Sequence, residues 1–208
     1  MSLVTISDLE TYLGKTITGG SDEAKYTFLI SAIEDEANAI TYRKLEQDTY
    51  SSELHDGNGG SELYLNNYPV TAVTEVKYGW VWSGSTRDEI ASTDYLTYAE
   101  EGYLAFGFNS IQDGNQMFEV SYTAGYTNVT VPDDLKKALM DQIEASFNFQ
   151  FTNDTVHTSG TIKKEKLGDY EYENFDTYED TSKINSISNS ISEMFKTKLR
   201  PYIKADLI

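Results

Sequence analysis

The chain has 208 residues with thirty-four acidic against sixteen basic side chains, a formal charge of -18; that length can bury a core without disulfides or metals, and that charge opposes a phosphate backbone and argues against tight DNA binding. It contains no cysteine, which excludes disulfides, thiolate catalysis and cysteine-based zinc sites. Met1 to Glu10 lacks a basic region followed by an apolar run, and no later stretch approaches the ~20 apolar residues of a membrane span, so a soluble, unexported product without a membrane partner is expected.

In chain order, Ser7-Asp8-Leu9-Glu10 reads as a capping box and Gly14 as a stop, giving a short first helix. After Gly19-Gly20, Ser21 or Asp22 can cap a second helix whose Tyr26, Leu29, Ile30, Ile33, Ala37 and Ile40 keep helical spacing on one face. From about Leu54 to Tyr126 the pattern turns to strands: Leu63 to Leu65, Val70 to Tyr78, Tyr95 to Tyr98, Tyr103 to Phe108 and Met117 to Tyr122. Leu104, Phe106 and Phe108 alternate with smaller residues, as Phe118, Val120 and Tyr122 do, which suits a sheet with one wet face. Asp56 to Gly60, Gly84 to Arg87 and Gln112 to Asn115 supply turns, so an antiparallel meander or small sandwich is expected.

Pro132-Asp133-Asp134 restarts helix, with Leu135, Leu139, Ile143, Phe147 and Phe151 recurring every four residues. Thr152 to Asp180 is polar, lacks a helical period and carries Asp169-Tyr170-Glu171-Tyr172-Glu173, which reads as a loop or arm. Ile184, Ile187, Ile191, Met194, Phe195 and Leu199 mark a third long helix that Pro201 kinks or ends. The expected fold class is α+β: an amphipathic helical bundle (1–53 and 132–151) with an antiparallel β insertion (54–131) and an extended C-terminal arm and helix (152–208), in one structural unit.

Signatures of reaction chemistry are missing. There is no Walker A loop, no Gly-x-Gly-x-x-Gly opening a helix, no Gly-x-Ser-x-Gly and no His-Glu-x-x-His. His55 and His157 lie in turn-like or arm-like sequence far from any paired nucleophile. Asp56-Gly57-Asn58-Gly59-Gly60 places oxygen ligands at alternate positions, but Gly60, Ser61 and Asn67 stand where a calcium loop wants an oxygen ligand, a glycine and a glutamate, so a hairpin turn is the reading. Glu100-Glu101 and Asp133-Asp134 are neighbours in a chain with one residue in six acidic, and read as solvated faces rather than glycosidase pairs. No catalytic residue, cofactor or metal is expected.

The order helix, helix, Asp56-Gly57-Asn58-Gly59-Gly60, Tyr68-Pro69-Val70-Thr71-Ala72-Val73, Val120-Ser121-Tyr122-Thr123-Ala124-Gly125-Tyr126 and Val131-Pro132-Asp133-Asp134-Leu135-Lys136-Lys137-Ala138 resembles the tailed-bacteriophage head-tail connector (adaptor, head completion) family. Lys166-Leu167-Gly168-Asp169-Tyr170 and Leu199-Arg200-Pro201-Tyr202 are similar to its later motifs. The resemblance implies a structural, non-enzymatic subunit of the virion, made in the host cytoplasm. It implies a twelvefold homo-oligomeric ring between portal and tail or stopper protein, possible capsid contacts, and double-stranded DNA passing through without specific binding. The β segment, with Trp80-Val81-Trp82, is larger than the family's short members carry.

Within that expectation the helix stripes place Ile30, Ile33, Leu139 and Ile143 in ring packing, and Asp169, Glu171 and Glu173 along the channel. Leu199, Tyr202, Ile203, Leu207 and Ile208 form an apolar arm on the portal, removable without loss of the fold. The competing reading is a carbohydrate-binding or adhesin-like β module built on the aromatic-rich residues 64–126.

Overall fold

The computed structural model describes residues 2–80, 86–107, 111–152, 164–167, 170–173 and 193–204. The elements are α1 (Ile6–Leu13), α2 (Glu23–Thr41), β1 (Asp48–Gly57), β2 (Glu62–Tyr64), β3 (Val70–Tyr78), β4 (Asp88–Glu89), β5 (Tyr95–Tyr98), β6 (Tyr103–Phe106), β7 (Gly114–Ala124) and α3 (Asp133–Phe147). A π-helical turn (Asn148–Thr152), β8 (Lys164–Leu167), β9 (Tyr170–Glu173), α4 (193–199) and a 3-10 turn (Arg200–Tyr202) follow. The class is α+β, and the chain divides into two compact units: a helical one (4–40 and 132–203) and a β one (1–3, 41–131 and 204–208).

In the helical unit α1 begins two residues earlier than its sequence suggests. Thr5, not Ser7, is the N-cap, and Asp8 completes the box: Thr5 Oγ1 accepts from Asp8 N at 3.2 Å while Asp8 Oδ2 accepts from Thr5 N at 2.8 Å. Glu10, expected to reach back to the cap, instead accepts from the backbone of Ile17 at 2.8 Å and Thr18 at 2.7 Å. Gly14 ends the helix in the left-handed conformation (φ 64) that a glycine adopts without strain.

The α2 stripe Tyr26, Leu29, Ile30, Ile33 and Ala37 is buried, as are Leu135, Ala138, Leu139, Ile143 and Phe147 of α3. Tyr26 stacks on Phe147 with ring centroids 4.1 Å apart. Lys136 Nζ joins α3 to α1 through Asp8 Oδ1 at 2.8 Å. Helix α3 stops four residues short of the last apolar repeat, and Phe151 lies in the π-helical turn, tilted on Phe147 at 5.3 Å. Helix α4 buries Phe195 and Leu199, and the 3-10 turn containing Pro201 follows it. Ile184, Ile187 and Ile191 lie outside the described residues.

In the β unit the strands form two antiparallel sheets, of order β1-β7-β3-β4 and β2-β6-β5. One core joins them: Leu63, Leu104 and Phe106 from the smaller sheet meet Val76, Phe118, Val120 and Tyr122 from the larger. The expected alternation of β6 and β7 is realised, with Phe108 and Trp82 outside the described residues. Strand β1 starts at Asp48, ahead of the point where the sequence becomes strand-like, because an edge strand with Thr49, Ser51 and Ser52 in solvent carries no apolar alternation there. Two glycines of the recognised motifs are close approaches. A Cβ on Gly57 would lie 1.9 Å from the Gln112 carbonyl oxygen, and one on Gly125 (φ 101) 2.6 Å from that of Glu46.

The stretch read as a loop or arm contains regular structure after all: β8 and β9 pair antiparallel, with Lys164 opposite Glu173, Glu165 opposite Tyr172, Lys166 opposite Glu171 and Leu167 opposite Tyr170. Oppositely charged residues in cross-strand register favour such a hairpin, a signal invisible to a search for apolar periodicity.

Candidate functional site

The residues assigned to ring packing, Ile30, Ile33, Leu139 and Ile143, are buried within the chain. Side chains so placed organise the subunit, and contacts to another protein must use other atoms. The arm residues divide. Leu199 is 0 % exposed; Tyr202 and Ile203 are half-buried, and the Tyr202 hydroxyl donates to Asp134 Oδ1 at 2.6 Å. Leu207 and Ile208 lie outside the described residues, as does Asp169. Glu171 and Glu173 lie on β9 opposite lysines.

Around α4 the charged groups converge on Asp141. It accepts from Lys198 Nζ at 2.7 Å, from Lys137 Nζ at 2.9 Å and from the Tyr12 hydroxyl. Burial alone would raise its pKa; the bonds from Lys198, Tyr12 and Lys137 outweigh that and hold it at about 2. Ala138, Ala145, Met194 and Phe195 line a shallow groove beside it.

The β unit holds a second cluster, which the sequence concealed by placing His55 next to a turn motif. His55 lies in β1, buried, with Nε2 3.5 Å from Glu53 Oε2. Asn66 Nδ2 donates to Glu53 Oε1 at 2.6 Å, and the buried Tyr122 hydroxyl donates to Oε2. Burial would raise the Glu53 pKa, but the nearby His55 imidazole and the hydrogen bonds from Tyr122 and Asn66 bring it down to about 2. The neighbouring Tyr50 hydroxyl has no hydrogen-bond partner among the described residues, and burial, then the charges of Asp48, Glu53 and Glu46, push it up to about 12.

A carboxylate held below its ordinary 4.5 stabilises the fold above that pH and loses the effect as pH falls toward 2. Glu53→Gln is therefore expected to cost roughly 3 kcal/mol at neutral pH, with wild type and variant converging near pH 2. Urea unfolding at pH 7 and at pH 2.5 checks both halves, and a gap that stays constant with pH would refute the assignment. The pairing also explains the cluster structurally, since every group in it serves the sheet. Among the described residues no group of three histidine, aspartate or glutamate side chains gathers to hold a metal, and no helix is long and apolar enough to cross a membrane.

The outer face of the smaller sheet is different in kind. Its register aligns Tyr64 of β2, Tyr103 of β6 and Tyr98 of β5 in one row, and Glu62, Ala105 and Leu96 in the next. Tyr98 and Tyr103 stack at 4.4 Å with their planes 9° apart, and Tyr64 tilts on Tyr103 at 5.3 Å. The stacked faces are covered by each other, whereas a sugar platform needs ring faces open to solvent.

The chain thus has two structural units, and the Glu53 and Asp141 clusters each tie elements of one unit together. The chain matches the head completion protein family over residues 2–165. It belongs to that family, whose members are structural proteins of the phage head-tail connector. Solved structures with a similar fold include a chain from the "Neck of empty GTA particle computed with C6 symmetry", with a TM-score of 0.53, 16 % identity, and 76 % of this chain and 81 % of that chain covered. Another comes from the "Virion of native gene transfer agent (GTA) particle", with a TM-score of 0.51, 16 % identity, and 76 % and 82 % covered. Comparison with curated proteins returns no significant match.

Proposed function

We propose that the chain is the repeating subunit of a closed ring beneath the portal of a tailed phage particle, through which DNA passes and onto which tail components assemble. The observation that carries this is the family match over residues 2–165. The neck fold of a particle solved under sixfold symmetry supports a cyclic assembly, and a twelvefold ring contains that symmetry. The work is done by binding geometry, and no residue turns over a substrate. The portal, a tail or stopper protein and the capsid are the neighbours such a ring would meet.

In this reading Tyr202, Ile203, Leu207 and Ile208 reach the portal, while Leu199 anchors their base inside the subunit. The net charge of -18 favours a channel along which DNA slides without sticking. Asp169, Glu171 and Glu173 are the residues proposed to add to that acidic channel surface.

Mass measurement of the purified chain, alone and mixed with a portal ring, tests the proposal. The expected result is a monomer alone and a discrete complex with one subunit per portal subunit. A chain that ignores the portal, or a particle map with single scattered copies, would refute it.

A further inference from the structure

We propose that the outer face of the β2-β6-β5 sheet is a docking surface for a neighbouring protein that presents arginine or lysine together with apolar side chains. The inference goes beyond ring formation and stands or falls separately from it.

The first ground is the composition of the face. Leu96 is 67 % exposed, Tyr64 45 % and Tyr98 40 %, side by side in register with Ala105 and Tyr103 on a folded sheet. The opposite side of the same strands carries Leu63, Leu104 and Phe106 into the core. A sheet apolar on both faces is expected where a second layer covers the outer one.

The second ground is charge. Between Leu45 and Val131 there are thirteen acidic residues against Lys77 and Arg87. Both cations are engaged in the larger sheet: Arg87 Nη1 with Glu119 at 3.0 Å, and Lys77 Nζ with Glu75 at 2.7 Å. The unit's other described cations are placed elsewhere too, Arg43 over the Tyr68 ring, Lys44 on Asp48 and Lys204 on Asn66. The tyrosine face thus lies in an uncompensated negative field, with Glu62 on it and Glu100 and Glu101 exposed in the turn beside it. Burial, then Tyr98, Glu62 and Glu101, raise the Tyr103 pKa, so these charges reach the row. Exposed tyrosine edges and hydroxyls beside carboxylates suit cationic side chains, which gain charge pairing there and lay their alkyl stems on Leu96, and a second copy of this acidic chain would bring repulsion instead.

The test titrates the full chain with a synthetic peptide alternating arginine and leucine, and with a glutamate-leucine counterpart, by calorimetry. The arginine peptide is expected to bind and the glutamate peptide not. Leu96→Ser with Tyr98→Ser, both at exposed positions, should weaken binding about tenfold, and Glu62→Gln with Glu101→Gln about fivefold, more than Asp35→Asn with Glu36→Gln on α2. Circular dichroism confirms that each variant is folded. Equal loss from the α2 pair would mean general attraction to the net charge and overturn the proposal, as would wild-type affinity in the Leu96/Tyr98 variant. Self-association abolished by the Leu96/Tyr98 changes would give the face to a second copy, and oligosaccharide binding abolished by them would give it to sugars; either result overturns the stated partner.

Discussion

Replacing Phe195 and Leu199 together by alanine is expected to lower stability by about 5 to 8 kcal/mol, enough to unfold the helical unit at room temperature. The two side chains are 2 % and 0 % exposed. Each truncation removes buried apolar surface and leaves a cavity, at about 3 to 5 kcal/mol for phenylalanine and 2 to 5 for leucine, and neighbours on one helix are not fully additive. Urea unfolding followed by circular dichroism measures the loss, and Leu199→Ala alone keeps the experiment readable if the double variant does not fold. A double variant with the wild-type midpoint would mean that α4 is an appendage. The stretch around it is rich in serine and asparagine, poor helix formers, and such a helix forms only against a partner surface. That surface is supplied in part by α3, where Lys198 meets Asp141.

Gly125→Ala is expected to be at least as severe, costing more than about 3 kcal/mol or preventing the β unit from folding. The backbone at Gly125 has φ 101, and the nearest atoms to an added Cβ would all be main chain, Glu46 O at 2.6 Å, Glu46 C at 2.7 Å and Gln47 N at 2.8 Å. No rotamer change relieves a clash with main chain. Moving the strands apart would break the bonds that fix this corner: Gly125 N to Pro69 O at 2.9 Å, Gln47 N to Tyr126 O at 2.8 Å and Tyr126 N to Leu45 O at 2.7 Å. Gly59→Ala is the control, since Gly59 also has positive φ (73) but open space around it, and its cost should stay near 1 kcal/mol. Thermal melting of the two variants compares them, and equal melting temperatures would refute the close-approach argument.

These two glycines show where sequence reading succeeds and where it stops. Gly125 was recognisable as part of a motif, but the reason for it, the Glu46 carbonyl oxygen lying 2.6 Å from where a Cβ would stand, is a tertiary fact. Strands β3 and β5 were legible to the residue because turn chemistry and apolar content bracket them. Strand β1 was not, since its buried residues, His55 among them, do not advertise a face. The α2 and α3 stripes were read as apolar, and four of their residues, Ile30, Ile33, Leu139 and Ile143, were also given to ring packing; periodicity tells which side of a helix is buried, not whether the covering atoms belong to the same chain. The tyrosine face escaped because it arises from three strands set in register, which no single stretch of sequence displays.

The interruption of the helical unit by residues 41–131 has a consequence for synthesis. Nearly all of the β unit is one continuous stretch, joined later by bonds such as Lys204 N to Thr41 O at 3.1 Å and Lys204 Nζ to Asn66 Oδ1 at 2.8 Å. It can complete both sheets while the remainder of the chain is still on the ribosome. Helix α2 must wait with its apolar stripe uncovered until α3 has emerged some ninety residues later, because Tyr26 has no Phe147 to stack on before then. The nascent subunit is therefore most vulnerable to aggregation not at its long β-rich middle but at its already synthesised second helix.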